Sequence, residues 1–167
     1  MSVKIELNTV EVKGALEDAL IGALYEAAEE LESATKRNTR PPKKGGHKVK
    51  DSWKHTVDEN KKIATVGSQL EASYWEELGT GSHALNKDGR KGWWVYIEGG
   101  SGYTGKTNSY DTREEAEAAA EYIRKVHKLD AHATDGMEPN RPLFRAFEAN
   151  RQWVKDLIAQ KLEESMK

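Results

Sequence analysis

No cysteine occurs in the 167-residue chain, which excludes disulfide bridges and thiolate metal ligands and fits a reducing compartment. No apolar run approaches the roughly 20 residues that a membrane-spanning helix needs, and residues near Met1 lack a signal-peptide core. The expectation is a soluble, non-exported protein. Apolar residues are also scarce, at 37% against 32% charged, so part of the chain is expected to be solvated loop or partner-facing surface. There is no GxSxG nucleophile elbow. His47, His55, His83, His127 and His132 show none of the helical or paired spacings that build zinc sites, such as HExxH, and read as solvated or structural. Glu29–Glu30 and Glu76–Glu77 are sequence neighbours; on a helix such pairs diverge by about 100°, so they do not share a carboxylate site and are expected to solvate a face. No catalytic, cofactor-binding or metal-ligating residue is expected, and the chain does not read as an enzyme.

One motif argues the other way. Gly100, Gly105, Lys106 and Thr107 match the phosphate-cradling pattern GxxxxGK[ST], and the apolar run "WWVYI" leads into them. In such a loop the following helix must start at the lysine, because its N-terminus points at the phosphates. Here the next helix start is Thr112, too far along. The parallel apolar strands of a nucleotide-binding sheet are missing as well. The segment reads instead as a hairpin turn in which Gly99, Gly100 and Gly102 supply positive φ, and a nucleotide-binding enzyme is the third and disfavoured reading.

At this length the chain fits one domain. "VKIEL" alternates as a short edge strand. Asn8 and Glu11 mark a helix start, and Leu16, Leu20, Leu24, Ala27 and Leu31 trace its apolar stripe to an end near Thr35. Trp53, His55 and Val57 alternate before "DENK" and "IATVG", predicting a hairpin. Leu70, Tyr74 and Leu78 predict a short helix stopped by a left-handed Gly79. After the "WWVYI" strand, "KTNSY" is a candidate to pair back with it. Thr112 and Glu115 then form a capping box before a helix with Ala116, Ala119, Ala120, Ile123 and Val126 on one face. "LDAHAT" reads as a strand, and a final helix carries Phe147, Val154, Ile158 and Leu162. The fold class expected is α+β, an antiparallel sheet packed by long N- and C-terminal helices, with a small strand-helix-strand insertion at about 103–134.

The net charge of −2 hides an asymmetry. Between Thr35 and Lys50 lie seven basic residues and no acidic one: Lys36, Arg37, Arg40, Lys43, Lys44, Lys48 and Lys50. Pro41, Pro42, Gly45 and Gly46 make this stretch a loop, suited to facing either a partner or DNA. It lacks interleaved aromatics for base stacking and an accompanying reading helix, so sequence-specific recognition is not expected, and a non-specific nucleic-acid-binding accessory protein is the alternative reading. Trp93 and Trp94 are adjacent on a strand and point to opposite faces; with Trp75 they are candidates for subunit contacts.

Three short motifs, in order, resemble the tail-completion or head–tail joining proteins of long-tailed bacteriophages. A glycine followed by a leucine-x-x-serine element is similar to Gly46, Val49, Ser52 and Trp53. An aromatic-x-x-acidic-x-Gly-Thr element is similar to Tyr74, Glu77, Gly79 and Thr80. A proline-aromatic-leucine-arginine-x-alanine stretch is similar to Pro142, Leu143, Phe144, Arg145 and Ala146, with the aromatic and leucine inverted. The likeness runs from about Glu11 to Glu164, and the segment from Tyr103 to Thr134 departs from it as an insertion. The resemblance implies a structural virion protein of the neck or tail: a ring subunit, hexameric in the family, that completes the tail and joins it to the head. It also implies self-association, contact with the tail tube protein and with head-completion or connector proteins, and a passage through the host cytoplasm during assembly. Contact between the basic loop and genomic DNA in the channel is a further expectation, and no membrane is involved.

Overall fold

The structure, a computed structural model, describes residues 9–41, 49–98 and 109–166. The expected strand at 3–7, the Asn8 cap, the Gly100–Thr107 motif with its glycine turn, and Lys43, Lys44 and Lys48 lie outside the described residues.

The fold is α+β. Helices α1 (Thr9–Asn38) and α5 (Pro142–Ser165) pack against each other along the molecule. Asn38 Nδ2 donates to Pro142 O at 3.3 Å near one end and Lys161 pairs with Glu26 at 3.1 Å towards the other, so the two run antiparallel. Their interface buries Ala23, Ala27 and Leu157, with Val154 and Ile158 packed against them. The stripe on α1 lies where the sequence places it, yet complete burial falls on the alanines while Leu16, Leu20, Leu24 and Leu31 stay half-buried. Small side chains at the contact let the helix axes approach closely, which leaves the longer ones at the margins. α5 has 24 residues against 30 in α1 and ends short of its partner's first turns, where Lys13, Gly14 and Ala15 are exposed. On α5 the expected Val154 and Ile158 pack into this interface, Leu157 beside them is the α5 residue most deeply buried there, and Phe147 departs from expectation at 48% exposed.

α1 also runs past the expected stop at Thr35. Thr35 is fully buried, its hydroxyl donating to Leu31 O at 2.7 Å, and Lys36 and Arg37 occupy the last turn, where cations complement the helix dipole.

A short turn of helix, α2 (Val49–Ser52), leads into the predicted hairpin of β1 (Lys54–Asp58) and β2 (Ile63–Gly67), paired from Lys54–Gly67 to Asp58–Ile63. Its turn is set by Asp58, whose carboxylate accepts from Asn60 N at 3.1 Å and Lys61 N at 3.0 Å, and by Lys62 in the left-handed region at φ 57°. The hairpin lies along α1. Helix α3 (Glu71–Leu78) follows, then β3 (Thr80–Gly81), which pairs antiparallel with β6 (Gly136–Met137).

Between them sits the strand-helix-strand unit: β4 (Trp94–Ile97), α4 (Arg113–His127) and β5 (Ala131–Thr134), with β4 and β5 antiparallel. The α4 start is as read, with Thr112 Oγ1 accepting from Glu115 N at 3.3 Å. Ala116, Ala120 and Ile123 are buried, the last two in a cluster with Val95 and Ala131, whereas Val126, expected on the same face, is 54% exposed. Tyr110 pairs back, bridging Trp93; Lys106, Thr107 and Asn108 of the expected partner strand lie outside the described residues. Among the described residues the antiparallel pairing is thus present as three two-stranded pieces, of which β1–β2 packs on α1 and β4–β5 on α4.

Candidate assembly site at a buried polar junction

The C-terminal end of α1, the start of β1, the end of α3 and the start of α5 meet at one place, and Glu76 and Glu77 hold it together. Glu76 is 6% exposed. One of its oxygens accepts from Arg40 N at 3.0 Å and Asn140 Nδ2 at 2.6 Å, the other lies 3.6 Å from the Arg40 guanidinium, and its carbonyl accepts from Asn140 N at 2.9 Å. Glu77 does a different job. Its two oxygens accept from Leu143 N at 2.9 Å and Phe144 N at 3.1 Å. These are orphan donors in the first turn of α5, whose own flanking residue, Arg141, offers no side-chain cap. A carboxylate from α3 therefore caps α5, with the helix dipole favouring its charge. This overturns the expectation that Glu76 and Glu77 merely solvate a face: the same 100° divergence that prevents a shared site lets one carboxylate face α1 and the other α5.

Further bonds close the junction. Arg145 reaches Asn38 O at 2.8 Å and Asn140 Oδ1 at 3.0 Å. Trp53, 3% exposed, donates its indole N–H to Thr39 Oγ1 at 3.0 Å, and the Ser68 hydroxyl donates to Ser52 Oγ at 2.7 Å. Gly79 stops α3 at φ 75° and ψ 179°, a region open only to glycine and distinct from the left-handed stop expected. A Cβ there would lie 2.7 Å from Met137 O. The segments carrying Ser52–Trp53, Glu77–Thr80 and Leu143–Arg145, far apart in sequence, are neighbours here. Beside them Trp53, Leu70, Tyr74, Leu78 and Leu143 line a largely apolar groove of about 390 Å³.

The basic loop is smaller than the sequence implies. Lys36 and Arg37 belong to α1, paired with Glu32 and Glu30 at 2.5 Å each. Arg40 is tied to Glu76 and donates to Glu138 O at 2.9 Å. Lys36 and Arg37 therefore belong to the last turn of a helix and not to a loop, because α1 runs one turn further than expected and sets them beside Glu32 and Glu30 of the same helix. Arg40, just past its end, is held by Glu76 of α3. Lys50 is exposed on α2. Both described ends of the segment, at Arg40 and at Val49–Trp53, are anchored in the junction.

Of the three tryptophans expected at contacts, Trp75 is 43% exposed on α3. Trp93 and Trp94 are half-buried, with the Arg113 guanidinium 5.7 Å from the Trp93 ring and Arg90 5.0 Å from that of Trp94. Trp94 also packs on Gly81, where a Cβ would come within 2.6 Å of its ring. Apolar surface missed in the sequence is open on α5, where Phe144 is 43% and Phe147 48% exposed.

Among the described histidines, His55, His83 and His132 face carboxylates, while His127 meets the edge of the Tyr122 ring. His55 N and Nδ1 lie 2.8 and 2.7 Å from Glu32 Oε2. Burial alone would raise the Glu32 carboxyl, but hydrogen bonds from Lys36 and His55 outweigh it and hold the group below its ordinary value. Asp135 behaves alike: burial acts upward, and bonds from Ser82 and His83 bring it down. A carboxyl depressed in the folded state stabilises the fold above its unfolded pKa of about 4 and loses that contribution as pH falls through the folded value. The thermal midpoint is therefore expected to drop on acidification below about pH 5, and Glu32→Gln to flatten that dependence in a calorimetric pH series.

Among the described residues every paired strand is antiparallel and α4 begins at Arg113, well after Thr107. Those residues offer no parallel sheet to a phosphate loop. No helix among them is long and apolar enough to cross a membrane. Set against protein-family models, curated proteins and solved structures, the chain matches none.

Proposed function

We propose that the protein is a structural component of a bacteriophage head–tail junction, a ring subunit that completes the tail and joins it to the head by assembly alone, without turnover. It works in the virion after passing through the host cytoplasm. Its partners are further copies of itself, the tail tube protein and the head-completion or connector proteins. The observation that carries the reading is the Glu77 carboxylate: it comes from the second motif of the resemblance and accepts the Leu143 and Phe144 N–H groups of the third. The motifs thus serve a common structural purpose, as expected of residues that shape a scaffold. Exposed Trp75, Phe144 and Phe147 supply apolar surface for contacts between subunits.

Negative-stain imaging of the protein mixed with phage tails tests the proposal. A ring capping one end of the tail tube is expected; tails left bare by a folded protein would overturn it.

Genomic DNA in the channel would meet the basic segment chiefly through cations other than Lys36, Arg37 and Arg40, which already face carboxylates. Neutralising Lys43, Lys44, Lys48 and Lys50 together is expected to reduce the salt slope of DNA binding by up to about 0.9 per charge, read by fluorescence anisotropy. Lys36→Gln with Arg37→Gln is expected to leave the slope nearly unchanged, because those cations already face Glu32 and Glu30. An equal loss from both sets would contradict the internal pairing.

A further inference from the structure

We propose that Glu98, Asp130 and His132 form a binding site for a first-row divalent transition cation such as Zn²⁺. The β4–β5 register pairs Tyr96 with His132 and Ile97 with Ala131, and its next step brings Glu98 opposite Asp130, with Glu98 N donating to Asp130 O at 2.8 Å. Because side chains alternate along a strand, Val95 and Ala131 face α4 while Tyr96, Glu98, Asp130 and His132 share the outer face. One ligand atom from each of Glu98, Asp130 and His132 lies within 4.8 Å of the others.

The convergence distinguishes this histidine from the other two that face carboxylates. At His83 the carboxylates sit on different ring nitrogens, Asp135 at 3.3 Å from Nε2 and Glu138 at 2.7 Å from Nδ1, so they point away from any common centre. His55 faces Glu32 through Nδ1 at 2.7 Å, with no second carboxylate at its ring among the described residues. At His132 both approach Nε2, Asp130 at 2.8 Å and Glu98 at 3.7 Å. A single Nε2–H is donated fully to one acceptor only, leaving two like charges opposed across the ladder, an unfavourable pairing. A divalent cation at that point engages all three groups at once and removes the repulsion. The Tyr96 ring stacks on His132 with centroids 5.8 Å apart and helps set the imidazole plane.

Two carboxylate oxygens and one imidazole suit zinc or its neighbours, and the exposure of Asp130 and His132 leaves room for water at the remaining positions. Sequence spacing gives no sign of the site, because Glu98 is brought to Asp130 and His132 only by the β4–β5 pairing. A cation there would tie the two strands together where the chain enters residues 99–108.

Isothermal titration of chelator-stripped protein with ZnCl₂ tests this. Saturable binding of one Zn²⁺ per chain is expected at pH 7.5, weakening on acidification as protons compete with the cation for its ligands. His132→Gln and Glu98→Gln are expected to weaken binding at least tenfold while keeping the wild-type circular dichroism, and His83→Gln to leave it unchanged. Absence of saturable binding, or equal affinity in a folded His132→Gln variant, would overturn the site.

Discussion

Glu76→Ala is expected to destabilise the fold by about 2–4 kcal/mol, measured as a shift in the urea unfolding midpoint. The substitution removes the side-chain acceptor of the part-buried Arg40 N–H and one of the two acceptors of Asn140 Nδ2, and leaves a void where a 6% exposed side chain had been. Each buried donor left unsatisfied costs on the order of 1–3 kcal/mol, whereas the ion pair to Arg40, itself 40% exposed, adds little. Glu76→Gln keeps an acceptor oxygen in position and is expected to lose only about 1 kcal/mol. If the two variants were equally destabilised, charge would outweigh hydrogen bonding at the junction, contrary to the geometry.

The second large effect is steric. Gly81 has φ 62°, and a Cβ there would fall 2.0 Å from Asp135 O; Gly136 has φ 133°, and its Cβ would fall 2.1 Å from Thr80 O. Both obstacles are backbone atoms of the β3–β6 pair, which cannot rotate aside. Gly81→Ala and Gly136→Ala are each expected to cost about 2–5 kcal/mol, combining left-handed or extended-positive φ strain with overpacking. Gly14→Ala is the control: a Cβ at that helical position meets nothing within 4 Å, and the change is expected to be neutral or stabilising by up to about 1 kcal/mol. Thermal denaturation of the three variants separates these outcomes.

Local signals in the sequence were dependable where a few adjacent residues decide the structure. The Thr112–Glu115 cap, the Asp58 turn and the stop at Gly79 all depend on neighbours within four positions, and each element begins or ends there. The errors have non-local causes. α1 continues past Thr35 because Thr39, just beyond its end, accepts from the Trp53 indole and the Arg40 N–H donates to Glu76. Phe147 falls off the buried face of α5 because the contact with α1 is made further along the helix, at Val154, Leu157 and Ile158. Glu77 reads as a solvated helix residue until α5 is placed against it, since the donors it satisfies lie 66 and 67 positions away. The basic run was misjudged for a related reason: a count of charges does not reveal that Glu30, Glu32 and Glu76 already face three of them.

The central claim is that this fold serves as a fixed part of a virion. Quantitative mass spectrometry of purified phage particles tests it most directly, by counting copies of this chain per particle against the tail tube protein. The account predicts the copy number of a single ring, retained after washing in high salt. Absence of the chain from infectious particles whose lysate contains it in abundance would contradict the account.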